Sequence, residues 1–145
     1  MKSSGNYLSF EDFIKGAVVF EQESAEYYHR MLGYDLKDTV REVVVSLEKD
    51  EWSHKAILQK RTGAGIQGYI QFPPGFSQEM PVMEADNPTV AELLSVAIDR
   101  EMKSKDMYEK SASFASGELR ELLEELATFE NNHEYLLRSM KDYLA

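Results

Sequence analysis

Acidic and histidine side chains occur twice in this sequence at spacings that suit metal binding. Each copy has a glutamate followed seven residues later by a tyrosine, and then a Glu-x-x-His motif. The first copy comprises Glu21, Tyr28, Glu51 and His54, and the second comprises Glu101, Tyr108, Glu130 and His133. The two Glu–Tyr pairs lie 80 residues apart, and the two Glu-x-x-His motifs lie 79 residues apart. This repeat predicts two helical hairpins whose side chains converge on one site.

Carboxylates and imidazoles in this arrangement could bind a pair of metal ions. Glu and His three residues apart lie on one face of a helix, so both can reach the same ion. A lone carboxylate in an apolar stripe is costly to bury, and two divalent cations would compensate four of them together. Oxygen and nitrogen ligands suit iron or manganese. We predict two iron ions, with manganese or a mixed pair left open, bound by Glu21, Glu51, His54, Glu101, Glu130 and His133.

The sequence does not assign each candidate ligand a single role. Glu21 and Glu101 could either bridge the two ions or cap them. Tyr28 and Tyr108 share the ligand face and could donate hydrogen bonds to the carboxylates from outside the ligand set, or could be ordinary core tyrosines. His29 falls outside both motifs, so we expect it at the surface or at a helix end. We expect other carboxylates on solvated faces, namely Glu23, Glu26, Asp50, Asp99, Glu124, Glu125 and Glu134.

Helical periodicity places the first copy on two helices. The first helix is predicted to begin after Ser9, which with Asp12 resembles an N-terminal cap, and to end at Gly33. The second is predicted over about residues 36–61, with Ile57 on its apolar face.

The second copy has the same organisation. The third helix is predicted to start near residues 87–89, where Thr89 and Glu92 could form a capping box. The fourth is predicted to follow Gly117, with Leu136 on its apolar face.

The segment between the hairpins, residues 62–87, is rich in glycine and proline and is predicted to be irregular, although residues 68–72 could be extended. A helix of about 26 residues is about 39 Å long, and about 25 linking residues can span that length. We therefore predict an all-α four-helix bundle, in which two antiparallel hairpins are joined by a long crossover. Residues 1–145 would form a single domain.

Composition narrows the function classes. A net charge of −10 opposes binding to nucleic acids or to anionic membrane surfaces. No apolar segment approaches the roughly 20 residues of a membrane span, and the N-terminal residues do not resemble a signal peptide, so we expect a cytoplasmic protein. The absence of cysteine excludes disulfides, thiolate nucleophiles and iron–sulfur ligation. Redox chemistry would therefore need an N/O-ligated metal or an organic cofactor.

The segments that carry the repeat resemble rubrerythrin-like proteins of the ferritin-like di-iron carboxylate class. Residues 17–28 and 97–108 look like the signatures of their first and third helices, and residues 47–54 and 126–133 look like those of the helices that follow. The resemblance covers nearly the whole chain outside the crossover. It implies a ferritin-like bundle, a di-iron centre at mid-height and a homodimer.

The sequence departs from that family in two ways. Peroxide-reducing rubrerythrins carry a rubredoxin-like domain with four cysteines, which this chain lacks. They also place a further glutamate three residues after the ligand of the third helix, where this chain has Ser104, and the related position of the first helix is Ser24. These differences weaken the expectation of fast peroxide reduction.

Three functions from different classes remain open. The favoured one is a di-iron oxidoreductase that reacts with dioxygen or hydrogen peroxide, receives electrons from an external donor and would serve in oxidative-stress defence. The second is ferritin-like iron oxidation with storage or buffering. The third is a non-catalytic metal-binding or interaction module.

Overall fold

The computed structural model describes residues 6–74, 76 and 79–144. Within these residues, four helices form a bundle: α1 (Phe10–Met31), α2 (Asp38–Gln59), α3 (Val90–Ala112) and α4 (Gly117–Leu144). Helix α1 packs extensively against α2, and α3 against α4, so the bundle consists of the two predicted hairpins. None of the helices in this described part is long and apolar enough to cross a membrane.

The two predicted N-terminal caps, at the starts of α1 and α3, are confirmed. The Ser9 hydroxyl accepts a hydrogen bond from the backbone N–H of Asp12 at 3.1 Å. Thr89 accepts from the N–H of Glu92 at 3.1 Å, while the Glu92 carboxylate accepts from the N–H of Thr89 at 2.8 Å. Each such cap satisfies backbone donors that the helix leaves free and contributes about 1 kcal/mol.

The buried stripes of α2 and α4 are narrower than predicted. Ile57 and Leu136 were expected to face inward, but their side chains are 41% and 39% exposed. In both helices the side chain of the next residue, Leu58 or Leu137, is fully buried. Four residues advance an α-helix by about 40° beyond a full turn, whereas three fall about 60° short. The residue four positions after each histidine is therefore better aligned with the stripe than the residue three positions after it.

Two short strands, which the sequence only partly predicted, fasten the crossover to the start of α1. Strand β1 (Asn6–Ser9) pairs antiparallel with β2 (Tyr69–Phe72), with Ser9 opposite Tyr69. The extended segment expected at 68–72 is thus confirmed, whereas β1 was not predicted. Gly68 adopts φ +100°, and a Cβ at this position would lie 3.3 Å from the Phe10 ring, so both backbone conformation and space favour glycine.

Further hydrogen bonds attach the crossover, which connects α2 to α3, to the helices of the bundle. The Glu11 carboxylate accepts hydrogen bonds from the backbone N–H of Ile66 at 3.0 Å and of Gly63 at 3.3 Å. Arg100 Nη1 donates to the Pro81 carbonyl at 2.8 Å. The crossover is therefore tied to both α1 and α3 along the bundle.

Apolar side chains form two buried clusters separated by a polar layer. One cluster includes Phe13, Ile14, Leu58, Phe72, Tyr108 and Leu123. The other includes Met31, Val44, Leu47, Leu94, Ile98 and Leu137. Each helix contributes residues to both clusters and crosses the polar layer between them. The layer therefore lies at mid-height, where the duplicated motifs were expected to converge.

Candidate metal centre

The polar layer contains all six residues that the sequence predicted as ligands. Each hairpin supplies one glutamate from its first helix and a Glu-x-x-His pair from its second. All six residues are at most 3% exposed: Glu21, Glu51, His54, Glu101, Glu130 and His133. The helix spacing deduced from the sequence is thus realised as one buried cluster.

The six residues form two overlapping groups that could each hold a metal ion. One group is Glu21, Glu51, His54 and Glu130, and the other is Glu51, Glu101, Glu130 and His133. Within each group the potential ligand atoms all lie within 4.8 Å of one another. Glu51 and Glu130 belong to both groups, so each could contact two ions. Glu21 and Glu101 each belong to one group, which agrees with the capping alternative.

Both imidazoles turn Nδ1 toward the carboxylates. His54 Nδ1 lies 3.3 Å from Glu51 Oε1, 3.5 Å from Glu130 Oε1 and 3.7 Å from Glu21 Oε1. His133 Nδ1 lies 3.4 Å from Glu101 Oε2, 3.5 Å from Glu51 Oε1 and 3.7 Å from Glu130 Oε1. Nδ1 is therefore the atom of each ring that is placed to bind an ion.

Seven potential ligand atoms are buried without hydrogen-bond partners among the described residues. These atoms are Glu21 Oε1, Glu51 Oε1, Glu101 Oε1, both carboxylate oxygens of Glu130, and Nδ1 of His54 and His133. A buried polar atom without a partner is unfavourable, and native proteins keep few of them. Divalent cations would satisfy them together, and the N/O donor set fits iron or manganese.

The charges in this cluster alter its proton affinities. Burial, followed by the charges of neighbouring carboxylates, raises the pKa of both Glu51 and Glu130 well above the usual range. Burial lowers the pKa of His54, but the nearby carboxylates of Glu130 and Glu21 outweigh that effect and raise the pKa to about 10. Protons therefore balance part of the carboxylate charge, and metal cations would displace them on binding.

Two tyrosines form hydrogen bonds from one hairpin to the other, each with a glutamate that belongs to a single group. The Tyr28 hydroxyl, on α1, donates to Glu101 Oε2 on α3. The Tyr108 hydroxyl, on α3, donates to Glu21 Oε2 on α1 at 2.5 Å. Burial and the adjacent glutamates raise the pKa of both tyrosines well above the ordinary value, so the hydroxyls remain protonated donors. Each bond fixes one carboxylate oxygen and leaves Oε1 available to an ion.

The outer sides of the two imidazoles have different neighbours, which the sequence motifs did not predict. His133 Nε2 lies 3.0 Å from Asp50 Oδ2, so Asp50 is not confined to a solvated face as expected. Its side chain is 40% exposed, but it lies at the edge of the stripe next to Glu51 and reaches across to α4. The His54 ring instead packs against Phe129, with 5.1 Å between the ring centroids. The 79-residue offset relates Asp50 to Phe129 and could have drawn attention to both.

A buried arginine near the cluster was also missed. Arg100 is 6% exposed, and its Nη2 donates to Ser24 Oγ at 3.0 Å. Its guanidinium carbon lies 5.6 Å from the centre of the Tyr27 ring. Charged residues are rarely buried, so Arg100 was not expected inside the bundle. His29, in contrast, is exposed in the last turn of α1, as expected.

Comparison with known proteins identifies a solved structure with a similar fold. A solved structure of a candidate ferritin-like diiron-carboxylate protein from Thermotoga maritima superposes with a TM-score of 0.82. The match covers 97% of this chain and 99% of that chain, at 17% sequence identity. No protein-family model matches the sequence, and no curated protein does so significantly. The chain therefore has a ferritin-like four-helix fold, as predicted, with a buried glutamate–histidine cluster at its centre.

Proposed function

We propose that the chain binds two iron ions in this cluster and acts as an oxidoreductase toward dioxygen or hydrogen peroxide. The observation that carries the proposal is the pair of overlapping ligand groups, which share Glu51 and Glu130 and contain unpartnered N and O atoms. Four carboxylates and two neutral imidazoles balance the charge of two divalent ions. The shared glutamates favour a coupled pair over two independent sites.

The protein would hold the two metal ions and orient the carboxylates that bind them. Two ferrous ions would supply the two electrons that, with two protons, reduce one hydrogen peroxide to two waters, after which an external donor restores the electrons. Glu51 and Glu130 would hold both positions together, because each lies in both groups. Tyr28 and Tyr108 would fix the capping carboxylates through their hydroxyl protons. The apolar clusters above and below the layer exclude water from the buried ligands.

Oxidation of the ferrous protein tests the proposal. Anaerobically prepared ferrous protein is mixed with dioxygen or with peroxide in a stopped-flow instrument, and near-ultraviolet charge-transfer absorption is followed. We expect the absorption to develop only in protein that retains the ligand set, with Glu130→Gln as the control for iron oxidised in solution. Identical time courses for both proteins would contradict the proposal.

Iron storage or buffering is the second candidate, because the outer neighbours of both histidines lie at the protein surface. Asp50 contacts His133 while 40% of its side chain is exposed, and Phe129 contacts His54 while 47% exposed. Ions could therefore exchange from this edge of the bundle. A large hollow assembly that takes up many more than two irons per chain would favour storage. The homodimer and cytoplasmic location remain predictions, and the solution mass of the purified protein tests the former.

A further inference from the structure

Two related positions beside the candidate metal ligands carry chemically different residues. Asp50 and Phe129 each immediately precede a Glu-x-x-His motif and are related by the same 79-residue offset. Each contacts the histidine of the opposite helix: Asp50 on α2 reaches His133, and Phe129 on α4 reaches His54. The two histidines therefore have related positions in the bundle but chemically different outer neighbours.

The Asp50 contact would favour retention of an ion at the His133 position. Asp50 Oδ2 lies 3.0 Å from His133 Nε2, on the side of the ring opposite the Nδ1 that faces the carboxylates. A carboxylate that accepts a hydrogen bond from the outer nitrogen of a ligating histidine fixes the tautomer and the ring orientation. Removal of such a partner typically weakens metal binding by about 10–100-fold.

The Phe129 contact cannot act in this way. The Phe129 and His54 rings are 5.1 Å apart at 61°, and a phenyl ring offers no conventional hydrogen-bond acceptor to an imidazole nitrogen. Phe129 is 47% exposed while His54, which it contacts, is 3% exposed, so the phenyl ring contributes to the cover of the imidazole at the protein surface. Movement of this partly exposed side chain would open the cover of His54 at this edge of the cluster.

We propose that the two metal positions differ in retention: the position built on His133 keeps its ion, and the position built on His54 exchanges its ion past Phe129. The inference rests on the proposed metal centre and adds an order of release to it. Asp50 and Phe129 are positioning residues in this account, because they act through the histidines and do not belong to either ligand group.

Release of zinc to a colour-forming chelator tests the inference, because Zn²⁺ has no redox chemistry and reports binding alone. We expect the zinc-loaded protein to lose its two ions in two phases whose rates differ by at least about tenfold. Glu21→Gln should remove the fast phase and Glu101→Gln the slow phase, since each carboxylate serves one position. These two variants assign the phases to positions.

Exchanging the outer neighbours provides the decisive comparison. Asp50→Phe should accelerate the slow phase toward the fast one, and Phe129→Asp should slow the fast phase toward the slow one. Asn132→Asp adds the same charge at an exposed position of α4 and should leave both phases unchanged. Helicity measured by circular dichroism confirms that each variant is folded before release is followed.

The possible failures are distinguishable. Two ions released at a single rate, or phases that Phe129→Asp and Asn132→Asp change equally, would overturn this inference and leave the proposed di-iron centre intact. A wild-type chain that binds no zinc, and no iron in a parallel sample, would overturn the centre itself.

Discussion

Glu130 gives the sharpest test of the balance between metal binding and stability. It is fully buried, belongs to both ligand groups, and has both carboxylate oxygens unpartnered among the described residues. Burial and the charges of Glu101, Glu51 and Glu21 raise its pKa well above the ordinary 4.5. Glu130→Gln keeps the size of the side chain while removing its charge, so it should weaken both metal positions and stabilise the metal-free protein.

The expected gain in stability follows from linkage. A group whose folded pKa is raised stabilises the fold below its unfolded pKa and loses that contribution as pH rises through the folded pKa. Each unit by which a folded pKa exceeds the ordinary value of 4.5 costs about 1.4 kcal/mol of stability once the pH lies above the folded pKa. A neutral glutamine avoids this cost. We therefore expect the metal-free Glu130→Gln variant to be more stable than the wild type by at least about 1 kcal/mol at pH 7, and by much less near pH 4.

Urea unfolding of the metal-free proteins at both pH values, followed by circular dichroism, measures this difference. Glu125→Gln is the matched control, because Glu125 lies on the exposed face of the same helix and should change stability by less than about 0.5 kcal/mol. Loss of stability in Glu130→Gln at pH 7, or a gain equal to that of the control, would refute the argument that metal-free burial of this carboxylate is unfavourable.

Three further outcomes are expected. His133→Ala should reduce the bound metal measured by elemental analysis, while His29→Ala should not, and equal losses would show that the ligand set is misassigned. Metal-free protein should lose stability in urea as pH rises from 6.5 through about 10, because His54 has a folded pKa of about 10 and an ordinary value of 6.5; a pH-independent midpoint would contradict this. Ser104→Glu should accelerate oxidation of the ferrous protein by peroxide relative to dioxygen, because glutamate could provide an anionic ligand that the serine hydroxyl cannot. An unchanged ratio of the peroxide rate to the dioxygen rate in stopped flow would contradict this expectation.

Much of the site was predictable because helical geometry converts spacing into position. Glu51 and His54 lie three residues apart, so one helix face carries both, and the 79-residue repeat supplies the same pair on α4. The caps at Ser9 and Thr89 were equally local, since each involves a residue three positions away. Contacts of this kind depend on short-range sequence alone.

The features that were missed depend on contacts between distant parts of the chain. Asp50 looks like any charged surface residue until α4 brings His133 to within 3.0 Å of it. Arg100 is buried because Pro81 and Ser24 supply acceptors that the sequence does not place beside it. Strand β1 has no local signal of its own and forms because β2 pairs with it. Sharing of Glu51 and Glu130 between two groups likewise follows from the relative positions of the hairpins.

The most direct test of the proposed di-iron centre is the metal content of the protein, purified anaerobically after expression with added iron. Elemental analysis should give two iron ions per chain, and X-ray absorption should show N/O ligation with the ions about 3.5–4 Å apart, as in other two-metal sites. Variants Glu21→Gln and Glu101→Gln should each retain about one ion, since each removes a ligand of a single group. A stoichiometry that stays near zero after ferrous reconstitution, or one isolated ion that both variants leave in place, would contradict a di-iron centre in this bundle.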